Sequence, residues 1–189
     1  MNGAISYTPA DRRIIQWQLG VDSVYLAGVI ERCDYGYPRI MLLNPVAEDD
    51  EEGKLNYSAI SNCLWLTCPY LNDRIHRLEQ SGLITDIAEF IRSDNELMAR
   101  MNNAHARFYF FRKNLYGKYY TEEVPQEILH IFNSGVGGIR DIAMIKCLHA
   151  HFSHYRICDD NVVGRITASL LDYRFNCDNG KCKNADQGR

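Results

Sequence analysis

Apolar positions recur at two different periods along this chain, and the change from one to the other falls near Pro69. Before it, Asp11-Arg12-Arg13-Ile14-Ile15-Gln16-Trp17-Gln18-Leu19 spaces its apolar residues as a helix does, follows Pro9 and stops at Gly20. That pattern predicts a short amphipathic helix. Val21 to Val29 is rich in β-branched and aromatic residues, and Tyr37 to Leu43 is an apolar run ended by Asn44-Pro45. These predict two strands joined through Cys33-Asp34-Tyr35-Gly36, with Asn62 to Cys68 as a third strand that Pro69 terminates. Between the second and third, the run Glu-Asp-Asp-Glu-Glu-Gly from Glu48 is a block of acid that would repel itself if packed, so a solvated loop is expected there.

After Pro69 the period is about 3.6 for most of the remaining chain. Leu71, Ile75, Leu78 and Leu83 mark a helix with Gly82 as its stop, and Thr85 to about Arg92 a second. Ser93-Asp94-Asn95-Glu96 has the form of an N-cap followed three positions on by Glu, opening a long helix through Arg112. The consecutive aromatics Phe108, Tyr109, Phe110 and Phe111 wrap all sides of that helix, which places it between other elements. Tyr116 to Tyr120 and Pro125 mark a connection, Gln126 to Phe132 a short helix, and Gly135-Val136-Gly137-Gly138 the approach to a helix from Ile139 to about Ile157. The fold class that follows is α+β: a small N-terminal antiparallel sheet of about three strands, then a predominantly helical bundle of about six helices. Residues 1–175 are expected to form one domain, and residues 176–189 a polar, cysteine-containing tail without apolar periodicity.

With 189 residues, 46% of them hydrophobic, the chain can bury one substantial core. A net charge of −3 lacks the electrostatic footprint of a nucleic-acid binder, so no nucleic-acid partner is expected. No apolar run approaches the roughly 18 residues of a spanning helix and the N-terminus has no export signal, so no membrane association and a cytoplasmic location are expected. Seven cysteines are the unusual item. An odd number without an export signal argues against a disulfide framework and leaves metal ligation, thiol chemistry and plain burial as the readings to separate.

On the helix expected from Ile139, Cys147, His151 and His154 fall within roughly 60° of one another at ~100° per residue, so they can converge on one ion. One thiolate with two imidazoles suits Zn²⁺ or Fe²⁺ better than Ca²⁺ or Mg²⁺. Cys68 or Cys33, each at a strand end, can supply a further ligand. His149 points elsewhere on that helix and is a candidate general acid or base. Taken singly, each of these residues is more often a small core cysteine or a satisfied histidine. Cys177 and Cys182, four residues apart around Asn179-Gly180, can meet across a turn, as metal ligands, a redox pair or thiols with no role. Cys63 and Cys158 read as packing residues. Glycines before a helix with Arg140 and Lys146 make an anion site physically available, although turn chemistry alone accounts for such glycines more often. No phosphate-binding loop, dinucleotide fingerprint, nucleophile elbow or HExxH is present.

Several stretches together resemble a bacterial family, the domain of unknown function 501 (DUF501): Arg32-Cys33 with Tyr35-Gly36-Tyr37-Pro38, Trp65-Leu66-Thr67-Cys68-Pro69-Tyr70-Leu71, Arg77-Leu78-Glu79 with Gly82, His105, Gly137-Gly138 with Arg140, Lys146-Cys147-Leu148-His149-Ala150-His151 with His154, and Asn161 with Val163-Gly164-Arg165. Asn161-Val162 stands where relatives tend to have Asn-Pro. The resemblance implies that Cys33, Cys68, Cys147, His105, His149 and His154 belong to one pattern, as in a spatially assembled site. It implies no particular reaction.

The expectation is therefore a metal-binding protein in which Cys33, Cys68, Cys147 and a histidine, His154 ahead of His151, hold zinc or an iron-sulfur cluster. A second expectation is an enzyme acting on a phosphorylated or other anionic small molecule, with Arg140 and Lys146 holding the anion and Cys147 and His149 performing the chemistry. A third is a protein-interaction module, self-associating or meeting a protein partner through Phe108 to Phe111, with the resemblance pointing toward cell division.

Overall fold

Thr8 opens the first helix, α1 (Pro9–Leu19), with a reciprocal cap: its hydroxyl accepts the Asp11 amide while the Asp11 carboxylate takes the Thr8 amide. Gly20, at φ 67°, closes the helix in the left-handed region. This computed structural model describes residues 6–51, 54–141 and 143–185, the side chains of 47–59 excepted. Asp11 is buried and paired with Arg32, which holds its carboxyl down at about 2 and ties α1 to the first strand.

Strands β1 (Leu26–Arg32), β2 (Pro38–Leu43) and β5 (Leu64–Leu66) form an antiparallel sheet in the order β1-β2-β5. Every residue of β2, the central strand, is buried; its apolar residues require it, and Arg39 among them is paired with Glu31. The acidic block is a correction to the sequence reading. It lies in a two-stranded hairpin, β3 (Val46–Glu51) with β4 (Lys54–Ala59), and not in a loop; Glu52 and Gly53 lie outside the described residues. The register explains why the acids permit pairing: Glu48 faces Tyr57, Asp49 faces Asn56, Asp50 faces Leu55 and Glu51 faces Lys54, so no acid stands opposite another. The first strand also starts later than its β-branched content suggests, at Leu26.

Among the described residues, seven helices supply the larger part of the fold: α1, then α2 (Pro69–Gln80), α3 (Leu83–Arg92), α4 (Asn95–Tyr119), α5 (Gln126–Phe132), α6 (Leu148–Tyr155) and α7 (Val162–Leu170). The architecture is α+β, with the antiparallel sheet near the N-terminus. Asp94 caps α4, accepting the amides of Glu96 and Leu97. That helix runs on through Tyr119, past the connection expected at Tyr116 to Tyr120, because Leu115 and Tyr116 are buried and extend its core face. Of its four consecutive aromatics Phe108 is fully buried, Phe111 packs partly buried against the same cluster, and Phe110 is exposed, so only part of the run meets the core.

The main core joins sheet to helices through Ile40, Leu66, Leu71, Ile75, Leu148, Phe152 and Val163. Helices α6 and α7 approach until a Cβ on Gly164 would lie 2.3 Å from the His151 carbonyl oxygen, so glycine is required by space there. Arg112 is fully buried on α4 and donates to the carbonyls of Ile131 at 2.7 Å, Phe132 at 2.9 Å, Ser134 at 3.1 Å and Ser61 at 2.7 Å. It thereby caps the end of α5 and binds the loop before β5 to it. The tail folds back: a 3₁₀ turn at Lys181–Ala185 packs Cys182 and Ala185 on Ile14 of α1.

Candidate metal centre

The helix expected from Ile139 to Ile157 is the second correction, and it reshapes the site. Val136–Gly138 is a 3₁₀ turn, Ile139 is extended, and Asp141 forms a turn of its own by accepting the Ala143 amide at 2.9 Å and the Met144 amide through its carbonyl. Short side-chain turns of this kind compete with helix. The helix, α6, begins only at Leu148, with Cys147 extended at φ −158° as its N-cap residue. Cys147 lends no side-chain cap; the Leu148 amide instead donates to Glu79 Oε1 at 2.6 Å, so the last turn of α2 caps α6.

That arrangement gathers three ligand types. His149 Nδ1 lies 3.2 Å from Glu79 Oε1 and 3.7 Å from Cys147 Sγ, and its Nε2 lies 3.1 Å from the Asn72 carbonyl oxygen. A carbonyl only accepts, so Nε2 carries a proton, and in the neutral ring Nδ1 presents its lone pair to a carboxylate and a sulfur. All three ligand atoms lie within 4.8 Å of one another, and the three side chains are half-buried. Burial works against charge on His149, but the Cys147 sulfur, the Asn72 carbonyl and Glu79 outweigh it and raise the imidazole to about 9. The raised imidazole takes a proton readily, and the three atoms are placed where a metal ion could meet all of them. Beside them is a cavity of about 330 Å³ with Asn62, Trp65, Asn72 and Lys146 in its wall, a size in the range of small-molecule sites.

The sequence-derived candidates are distributed as follows. Cys147 and His149 meet as described, with exposed Lys146 on the cavity wall. Arg140 is exposed and outside the residues lining that cavity, and with the expected helix absent it has no helix start beside it. Cys33 and Cys68 line a different cavity, together with Cys177 and Cys182. Cys63 and Cys158 are buried, and burial pushes the Cys63 thiol up to about 12 against the pull of Arg112. Glu79 was not legible as a ligand, since it lies on another helix 68 positions before Cys147 and reaches it only through the packing of α2 on α6.

His151 and His154 point away from Cys147, into the contact with α7. His151 Nδ1 donates to Asn161 Oδ1 at 3.2 Å, and Asn161 Nδ2 donates to His154 Nδ1 at 3.0 Å. The same Asn161 oxygen accepts the Gly164 amide at 2.9 Å, capping α7. Asn161 thus fixes both tautomers and the start of a helix at once. Burial first, then the neighbouring histidines, lowers both rings to about 3, which keeps them neutral. His105 stands edge-on to His151 and accepts the Val136 amide at 3.1 Å. These histidines hold α4, α6 and α7 together.

Among the described residues no helix is long and apolar enough to cross a membrane. No curated protein and no solved structure matches the chain. The family described as "Protein of unknown function (DUF501)" matches residues 29–169. That span begins within β1, takes in the rest of the sheet, Glu79, Cys147, His149 and the Asn161 cap, and covers most of the 189 residues: the chain belongs to the DUF501 family.

Proposed function

We propose that the protein binds one borderline-soft divalent ion, Zn²⁺ first among them, through Glu79, Cys147 and His149, and presents its remaining coordination position to the adjacent cavity. The observation that carries this is the His149 ring: its Nε2 is anchored on a backbone carbonyl, the usual orientation of a metal-ligating imidazole, and its Nδ1 faces a sulfur and a carboxylate. Three protein ligands with an open fourth position are the arrangement of catalytic zinc, where a bound water is activated or an anion is polarised. Lys146 on the cavity wall suits an anionic small molecule entering there.

Titration of metal-free protein with Zn²⁺ against a chromophoric chelator tests it. Cys147→Ser and His149→Gln are each expected to remove one equivalent of bound metal, and Glu79→Gln to weaken that equivalent. Unchanged stoichiometry and affinity in all three would overturn the proposal.

A second reading uses the same atoms without metal. An imidazolium held beside a sulfur is the pairing that prepares a thiol nucleophile, and the raised His149 favours it. Iodoacetamide separates the two: one equivalent of Zn²⁺ suppresses alkylation of Cys147 in the metal reading and leaves its rate unchanged in the thiol reading.

A further inference from the structure

Apart from Glu79, Cys147 and His149, four cysteines from three stretches line one small cavity: Cys33 in the turn after β1, Cys68 at the start of α2, and Cys177 and Cys182 in the tail. All four are free thiols. The cavity measures about 10 Å³, room for a single water-sized body and not for a cluster of several iron and sulfur atoms. Cys182 lies within electrostatic reach of the other three sulfurs.

Burial raises the Cys68 and Cys182 thiols, and N–H donors aimed at the sulfurs oppose it. The amides of Tyr70 and Leu71 turn back onto Cys68 Sγ, the Lys181 amide donates to Cys177 Sγ at 3.5 Å, and Gln18 Nε2 donates to Cys182 Sγ at 3.2 Å. A neutral thiol is a weak acceptor, so N–H donors from three segments have little to gain from one. Cys33 and Cys177 open turns that share the pattern Cys-Asp-x-Gly, Cys33-Asp34-Tyr35-Gly36 and Cys177-Asp178-Asn179-Gly180, each ending in a glycine at positive φ. The two turns are joined: the Asp34 amide and the Asn176 side-chain amide exchange hydrogen bonds with Asn176 Oδ1 and Asp34 Oδ2, and the Tyr35 hydroxyl donates to the Asp178 carbonyl. Four thiolates lining one cavity would repel unless a cation stood between them.

We propose that Cys33, Cys68, Cys177 and Cys182 together hold one zinc ion, a closed tetrathiolate site that fastens the C-terminal tail to the β1–β2 turn. It is independent of Glu79, Cys147 and His149. The two sites are therefore separated by different variants of the full-length chain.

Metal analysis of protein purified under reducing conditions provides the test. The double variant Cys177→Ser/Cys182→Ser is expected to lose one equivalent of zinc that Cys147→Ser/His149→Gln retains. A folding failure of the tail variant is met by two measurements on protein with all four cysteines. Cobalt loading of Cys147→Ser/His149→Gln should give the intense thiolate-to-cobalt absorption of a tetrathiolate, and metal removal should accelerate tryptic cleavage at Lys181 and Lys183 at least tenfold. Zinc content unchanged in the tail variant overturns the proposal. So does a Cys177–Cys182 or Cys33–Cys68 disulfide in freshly purified protein, or iron with acid-labile sulfide in place of zinc.

Discussion

Replacing Arg112 by Met keeps nearly all of its aliphatic volume and removes only the guanidinium, so the change isolates what that buried cation does. Its Nη1 donates to three carbonyls at the end of α5, its Nη2 to Ser61 before β5, and its plane lies over Phe108 at 4.7 Å. A hydrogen bond from a charged donor contributes about 1.5–3 kcal/mol, and four of them are opposed by the penalty of burying the charge, which also lowers the Arg112 pKa. Methionine relieves that penalty but leaves the carbonyls without their donor. The net expected loss is about 3–5 kcal/mol, the range for removing one member of a buried ionic arrangement. For a chain of this length that is a fall in Tm of roughly 6–20 °C. Urea unfolding followed by circular dichroism measures it, and an unchanged m-value shows that the unfolded reference is the same. Arg112→Lys is expected to fall between, because a single ammonium cannot serve Ser61 and the α5 end together. A loss below about 1 kcal/mol in Arg112→Met at constant m would refute the reasoning, since desolvation would then cancel all four bonds.

Gly164→Ala places a methyl 2.3 Å from the His151 carbonyl oxygen and 2.4 Å from Tyr155 Cβ, so α6 and α7 must separate. About 2–3 kcal/mol of destabilisation and weaker Zn²⁺ binding at Cys147 and His149 are expected in the same urea and chelator titrations. Asp11 is held at about 2 against an ordinary 3.8, so its contribution is present above pH 3.8 and lost as pH falls through 2. Arg32 is 40% exposed, which screens the pair; Asp11→Asn should cost about 1–2 kcal/mol at pH 7 and nothing extra below pH 2. His151 and His154 are neutral when folded, with pKa values of about 3 against 6.5 for the free side chain, so the unfolded chain takes up protons between those limits and stability falls as pH drops below 6.5. Each should remove about 2 kcal/mol between pH 7 and pH 5; equal unfolding free energies at the two pH values would show that both rings take up protons in the core as they do in the unfolded chain.

Most caps and stops that the chain closes within a few residues were readable. The Thr8 cap with Gly20, the apolar run of β2, the stop at Gly82 and the Asp94 cap all concern residues within a few positions of one another. The helix misread from Ile139 had the right apolar spacing, but the Asp141 side chain offered its neighbours a turn, and Leu148 found its capping oxygen on another helix. The same distance hid Glu79. Helical spacing put Cys147 with His151 and His154; once Cys147 is extended instead of helical, it turns to His149, and Asn161 takes the other two. The tail carried no apolar period, and what organises it is the contact of Cys182 and Ala185 with Ile14, visible only in three dimensions.

The packing of the last residues on the first helix has a consequence for synthesis. Ile14 of α1 and the cavity beside Cys33 and Cys68 are completed by Cys177, Cys182 and Ala185, which the ribosome adds long after them. At roughly 5–20 residues per second, the interval from Cys33 to Cys182 lasts about 7–30 s on the ribosome. During it the early thiols lack the chain segment that encloses them. A ribosome stalled before Cys177 would therefore carry a nascent chain whose Cys33 and Cys68 react with a thiol probe that the released protein excludes.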